Sequence, residues 1–217
     1  VALTNGNYVV RSPHWWGDGR VDFAGAVTWA SGAGSTAAAV TSSNSLVGST
    51  ANDQVGGGAA GDVIALTNGN YLVLNDVWNN GGVVDAGAIT WGNGLGGTTG
   101  AVSLSNSLVG STAGDNVGDL FWGRLIELTN GIYVVVSPVW DLDGTHPDAS
   151  AVTWGSGDSG VSGPISASNS LVGNSACPPL GPGMIVTALT NGNYVVSNPR
   201  WSTAGKPQAE GDRNRFE

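Results

Sequence analysis

Leu66-Thr67-Asn68-Gly69-Asn70-Tyr71-Leu72-Val73 is the stretch on which the fold turns. Asn-Gly between two apolar runs predicts a β-hairpin with a type I′ turn, in which both central residues need positive φ. Val63-Ile64-Ala65-Leu66 would run into the turn and Tyr71-Leu72-Val73-Leu74 out of it. The same hairpin starts at Leu3, Leu128 and Leu189, a period of 61 to 63 residues, so the chain is a tandem repeat.

Two further segments recur between the hairpins. Ala24-Gly25-Ala26-Val27-Thr28-Trp29 returns as Ala86 to Trp91 and Ala149 to Trp154, and reads as a third strand. Fifteen residues after each of these tryptophans comes Asn-Ser-Leu-Val-Gly, at Asn44, Asn106 and Asn169, which reads as a fourth. The fixed interval implies segments held in register. No helical periodicity appears. The expected fold is all-β, a tandem repeat of three- to four-stranded antiparallel sheets arranged as β-propeller-like blades. An open β-solenoid or stacked array is the alternative. The units are 3–65, 66–127, 128–188 and a partial 189–201, followed by a tail at 202–217. One such sheet cannot bury both faces alone. Trp29, Trp91 and Trp154 are therefore expected to pack between successive sheets.

Composition narrows the function. Gly fills 36 of 217 positions, Trp nine and charged residues only 11%. Net charge is −9, and Arg200, Lys206, Arg213 and Arg215 at the C-terminal end supply four of the seven basic residues. An acidic, nearly Lys-free body disfavours nucleic acid and anionic membrane surfaces as partners. No apolar run approaches the ~20 residues of a membrane-spanning helix. Cys177 is the sole cysteine, so no intrachain disulfide forms. The chain opens inside a repeat, at Val1-Ala2-Leu3, which suggests a mature or excised piece of something longer.

Each hairpin is followed by Trp15, Trp78, Trp140 or Trp201. An aromatic just past a strand can stack on a sugar ring; the competing role is a plug between sheets. Asp141, Asp143 and Asp148 resemble the start of an oxygen-ligand calcium loop, against a turn-forming role. Asp22, Asp85 and Asp148 recur before the third strand and are expected to accept backbone N–H groups, as are Asn44, Asn106 and Asn169. His14 and His146 are too few for a zinc site unaided. No serine elbow, cysteine dyad or singled-out acid pair marks an active site, so no enzyme is expected.

Leu-Thr-Asn-Gly-Asn-Tyr-Val-Val, then Gly-Ala-Val-Thr-Trp, then Asn-Ser-Leu-Val-Gly-Ser resembles the repeats of very large bacterial secreted and surface proteins. These are of the filamentous-haemagglutinin-like or adhesin-like kind. The resemblance covers residues 1 to about 201. It implies an extracellular or cell-surface location and a non-catalytic role in adhesion or filament structure, with other copies or neighbouring repeats as partners. A multivalent carbohydrate-binding module is the alternative, and a polysaccharide-acting enzyme on a propeller a third. The third repeat departs from the pattern, with Asn174-Ser175-Ala176-Cys177-Pro178-Pro179 in place of Ser-Thr-Ala-x-Asp. Any ligand role of Asp53 and Asp115 therefore stops at the second repeat.

Overall fold

The computed structural model describes residues 1–34, 38–57, 63–173 and 184–197. It is all-β; no helix occurs among the described residues. Four small sheets follow one another along the chain. The first contains β1 (Tyr8–Ser12), β2 (Ala26–Ala30) and β3 (Ser45–Val47). The second contains β4 (Val63–Ala65), β5 (Tyr71–Asn75), β6 (Ala88–Gly92) and β8 (Ser107–Val109), with β7 (Gly100–Ala101) lying between β6 and β8 in sequence. The third contains β9 (Arg124–Glu127), β10 (Ile132–Ser137), β11 (Ala151–Ser156) and β13 (Ser170–Val172), with β12 (Gly163–Pro164) placed likewise. The fourth is a hairpin of β14 (Ile185–Ala188) and β15 (Tyr194–Ser197).

Within a unit the strands form an antiparallel meander: β4 on β5, β5 on β6, β6 on β8. Between units the pattern changes. β7 leaves its own sheet and pairs in parallel with β3 of the preceding unit, and β12 does the same with β8. Each of the first two sheets is thus completed by a short strand from the next unit. The blade-like sheets are stitched together by backbone as well as by packing.

The hairpin occurs in all four units, but its turn is not type I′. Gly6, Gly69, Gly131 and Gly192 have φ between +80° and +92°, while the preceding asparagines do not reach positive φ. Gly6 N–H donates to the Leu3 carbonyl at 3.1 Å and Leu3 N–H to the Asn7 carbonyl at 2.8 Å. That is a three-residue loop in which only the glycine is left-handed. Asn5 is there for its side chain: its Oδ1 accepts Asn7 N–H at 3.0 Å and closes the turn.

Alternation along a strand feeds two different cores. Tyr71 and Val73 of β5 face backward, packing with Val9, Val27, Leu46 and Val55 of unit 1. Leu72 and Leu74 face forward, packing with Tyr133, Val135 and Trp140 of unit 3. A third core joins Val134 and Val136 to Val186 and Val196 of the fourth hairpin. The apolar cores therefore lie between sheets, as nearest-neighbour stacking requires.

Candidate functional site

The most convergent polar geometry is at the unit junctions. At the first junction three N–H donors of unit 1 converge on one carbonyl of unit 2. Trp29 Nε1, Asn5 Nδ2 and Asn7 Nδ2 reach the Gly94 oxygen at 2.9, 2.8 and 2.8 Å. At the second junction Trp91 Nε1, Asn68 Nδ2 and Asn70 Nδ2 reach the Gly157 oxygen at 2.8, 2.8 and 2.9 Å. Each asparagine thus uses its oxygen or its position in its own turn and its amide N–H on the neighbour. Only glycine fits at the acceptor: a Cβ on Gly94 would lie 1.7 Å from the Gly69 oxygen. Gly97 is held against the same tryptophan, where a Cβ would come within 2.7 Å of Trp29 Cβ.

A second clasp lies at the other end of the sheets. Asp53 is buried, and its carboxylate accepts Ser49 N–H and Thr50 N–H at 2.8 Å each, then Asn79 N–H of the next unit at 3.1 Å. Asn79 Nδ2 donates to it as well, at 3.1 Å. Asp115 repeats the arrangement with Ser111, Thr112 and Asp141 N–H. Here the neighbour is an acid. Burial raises the Asp115 carboxyl above its ordinary range, and the like charge of Asp141 pushes the same way.

Burial separates the two sets of tryptophans. Trp78 and Trp140 are 3% and 2% exposed and belong to the inter-sheet cores, so neither can meet a sugar. Their indole Nε1 atoms make no hydrogen bond among the described residues, which suits an apolar plug. Trp15 is half-buried, and Trp201 lies outside the described residues. Trp29 and Trp91 sit at the rim of the cores as hydrogen-bond donors. Trp154 does not pack between sheets: it is 54% exposed.

The acids also separate. Asp141 Oδ1 accepts Asp148 N–H at 2.7 Å, while Asp143 turns to Thr145 and His146, at 2.6 and 2.8 Å. Those two donors, Thr145 first, hold the Asp143 carboxyl well below its usual range. Among the described residues no group of three or more acid, His or Cys side chains could hold a metal, so Asp141, Asp143 and Asp148 do not make a calcium site. Asp85 and Asp148 stand at positive φ, both at +52°, and it is the backbone carbonyl of Asp85, not its carboxylate, that accepts Asn116 N–H, at 3.0 Å. The matching position in unit 1 is Phe23 (φ +49°), not Asp22. Asn44, Asn106 and Asn169 do close turns, accepting Thr41, Ser103 and Ser166 N–H at 2.9–3.0 Å. Cys177 lies outside the described residues.

Sequence reading missed the converging donors, although Asn5, Asn7 and Trp29 recur together. What was missing was the Gly-x-Gly element after each tryptophan strand, whose variable spelling (Gly32, Gly94, Gly157) hid a fixed acceptor.

Repeated sheets, junction clasps and inter-sheet cores define a tandem β-repeat protein. Its sequence matches a family described as a repeat of unknown function (DUF5650) over residues 2–57, 65–119, 127–181 and 188–210, and the chain belongs to that family. No curated protein and no solved structure matches the chain.

Proposed function

We propose that this chain is a non-catalytic repeat module of a secreted or surface-attached bacterial protein, serving adhesion or filament structure. The observation that carries the reading is how the recurrent polar side chains are used. Asn5, Asn7, Trp29, Asp53 and their counterparts hold the next unit, and the Asn44 series closes turns. The resemblance to filamentous-haemagglutinin-like repeats and the acidic, nearly Lys-free composition support the same role.

Carbohydrate binding is the second reading, moved from the repeated tryptophans to one unrepeated pair of aromatics. Phe121 and Trp122 are 79% and 56% exposed, stacked edge to face at 4.9 Å, and lie outside the repeated motifs. Such rings can stack on sugars. Beads coated with the chain should adhere to cells or matrix above an inert-protein control, with no turnover of a polysaccharide panel. Turnover abolished by a single Asp→Asn change would overturn the non-catalytic reading. Adhesion lost in a Phe121→Ala/Trp122→Ala variant would favour the lectin-like one.

A further inference from the structure

Asn-Gly dipeptides begin at Asn5, Asn68, Asn80, Asn93, Asn130 and Asn191. The pair carries a reaction of its own. The glycine backbone nitrogen can attack the asparagine Cγ, because glycine has no Cβ to hinder the approach. A bond forms between that nitrogen and Cγ, the Cγ–Nδ2 bond breaks, and Nδ2 leaves as ammonia with the proton the glycine N–H gave up. Water then opens the cyclic imide at either carbonyl. The products are aspartate, or isoaspartate with a main chain one methylene longer. Nothing is oxidised or reduced.

The fold treats these side chains differently. Asn5 Nδ2 donates to the Gly69 and Gly94 oxygens at 3.1 and 2.8 Å, and Asn68 Nδ2 to the Gly157 oxygen and Asp158 Oδ1 at 2.8 and 2.9 Å. Asn80 and Asn130 each donate once, to the Gly110 and Gly192 oxygens at 3.1 and 3.0 Å. A carboxamide held in this way cannot turn its carbon toward the next nitrogen without breaking those bonds. Asn93 is exposed, and among the described residues its Nδ2 has no acceptor. Its Oδ1 accepts Leu95 N–H at 2.9 Å. That Asx turn keeps Cγ beside the Gly94 nitrogen and stabilises the oxyanion that forms on attack. Gly94 N–H donates to Asn70 Oδ1 at 3.0 Å, and Gly6, Gly69 and Gly131 N–H are bonded at 3.1 Å, so the nucleophiles do not separate the sites. Asn191 belongs to the hairpin whose following residues, from 198 on, are not described, and is set aside.

We propose that Asn93 is a self-modification site, and that its deamidation to isoaspartate opens the junction between the first two units while leaving the next junction closed. The following residue supplies the shared acceptor: the Gly94 oxygen takes the N–H groups of Trp29, Asn5 and Asn7. There is no slack around it, since a Cβ on Gly94 would already lie 1.7 Å from the Gly69 oxygen. A methylene added to the main chain next to Gly94 moves its carbonyl off the three donors. At the second junction the residue before the acceptor Gly157 is Ser156, and at the matching place in unit 1 Ser31 precedes Gly32. Serine has no carboxamide, so the second junction lacks the chemistry. The change is one-way and consumes only water. The inference is independent of the adhesive reading.

The test ages the full chain in mildly alkaline buffer and follows each Asn-Gly by peptide mapping and mass spectrometry. Conversion at Asn93 should run about tenfold faster than at Asn5 and Asn68, the weight of their amide hydrogen bonds. In concentrated urea the sites should react at similar rates, because the clasps are gone. Isoaspartate-specific methylation should label the Asn93 peptide of the aged folded chain. Exchange of the Trp29 indole N–H, read by NMR, should quicken on ageing, while that of Trp91 does not. Asn93→Ser, the residue of the other units, should keep Trp29 protected through the same ageing. Asn93→Asp, which adds the charge without the methylene, should keep it protected as well. Equal rates at Asn93, Asn5 and Asn68 in the folded chain would overturn the proposal, as would a preference for Asn93 that persists in urea. An aged chain with Trp29 still protected, or loss of that protection in Asn93→Asp, would overturn the role of the lengthened main chain.

Discussion

Units 1 and 2 share their motifs, but only unit 2 has a described unit on each side. In β5 every side chain is buried; in β1, Val10 is 45% exposed and Tyr8 half-buried. The cross-strand partner shows the same difference. Tyr71 stands opposite Gly92, where a Cβ would lie 2.1 Å from its ring, whereas Tyr8 stands opposite Ala30. A strand of this protein is thus two half-strands in function, alternate residues serving alternate neighbours. Among the described residues the backward half of unit 2 packs on unit 1, while that of unit 1 has no described sheet against it.

The largest expected effect tests that difference at the inter-sheet tryptophans. Trp78→Ala should destabilise the chain by about 3–5 kcal/mol, since it empties a core between two sheets. Trp15→Ala, at the half-buried counterpart, should cost less than half as much. Chemical denaturation of the two variants measures both. Equal losses would mean that unit 1 is as tightly covered as unit 2.

A smaller difference is expected at the donor tryptophans. Trp91→Phe removes one of three N–H groups from the Gly157 oxygen and should cost about 1 kcal/mol, because the two asparagine amides still satisfy that carbonyl. Trp154→Phe should leave stability unchanged within measurement. Thermal unfolding of both variants is the check, and a comparable loss at Trp154 would show an unrecognised partner within the chain.

Much of the sheet pattern was legible in the sequence, because alternation and Asn-Gly punctuation are local signals. The four hairpins, the Thr-Trp strand and the Ser-Leu-Val strand stand where those signals put them. The turn type was not legible. Type I′ and the observed three-residue loop both suit Asn-Gly, and the choice rests on whether Asn5 itself takes positive φ. The crossover of β7 and β12 was hidden for a different reason: strands of two residues carry no periodicity. The choice between plug and sugar platform for the hairpin-following tryptophans was not legible, because both tryptophan sets recur with equal regularity. Burial separates them, and burial belongs to the stacked array, not to any one repeat.

The smallest effect concerns the acid clasps, where the first two junctions differ by one atom type. Asp53 meets the amide of Asn79, while Asp115 meets Asp141. A buried carboxyl whose folded pKa is raised binds protons more readily in the folded state than in the unfolded one, where it titrates near about 4. Stability contributed through Asp115 should therefore increase as pH falls from neutrality through that raised value, and level off below the unfolded one. Asp148, raised by burial and then by Asp141, adds to the trend in the same direction. Asp141→Asn makes the second junction chemically like the first. It should stabilise the chain at pH 7 by on the order of 0.5 kcal/mol, the scale of a partly screened charge pair, and flatten the dependence between pH 7 and 4. Denaturation midpoints measured across that range decide the matter. A gain from mild acid that survives Asp141→Asn unchanged would place its origin in the burial of the carboxyls and not in the charge of Asp141.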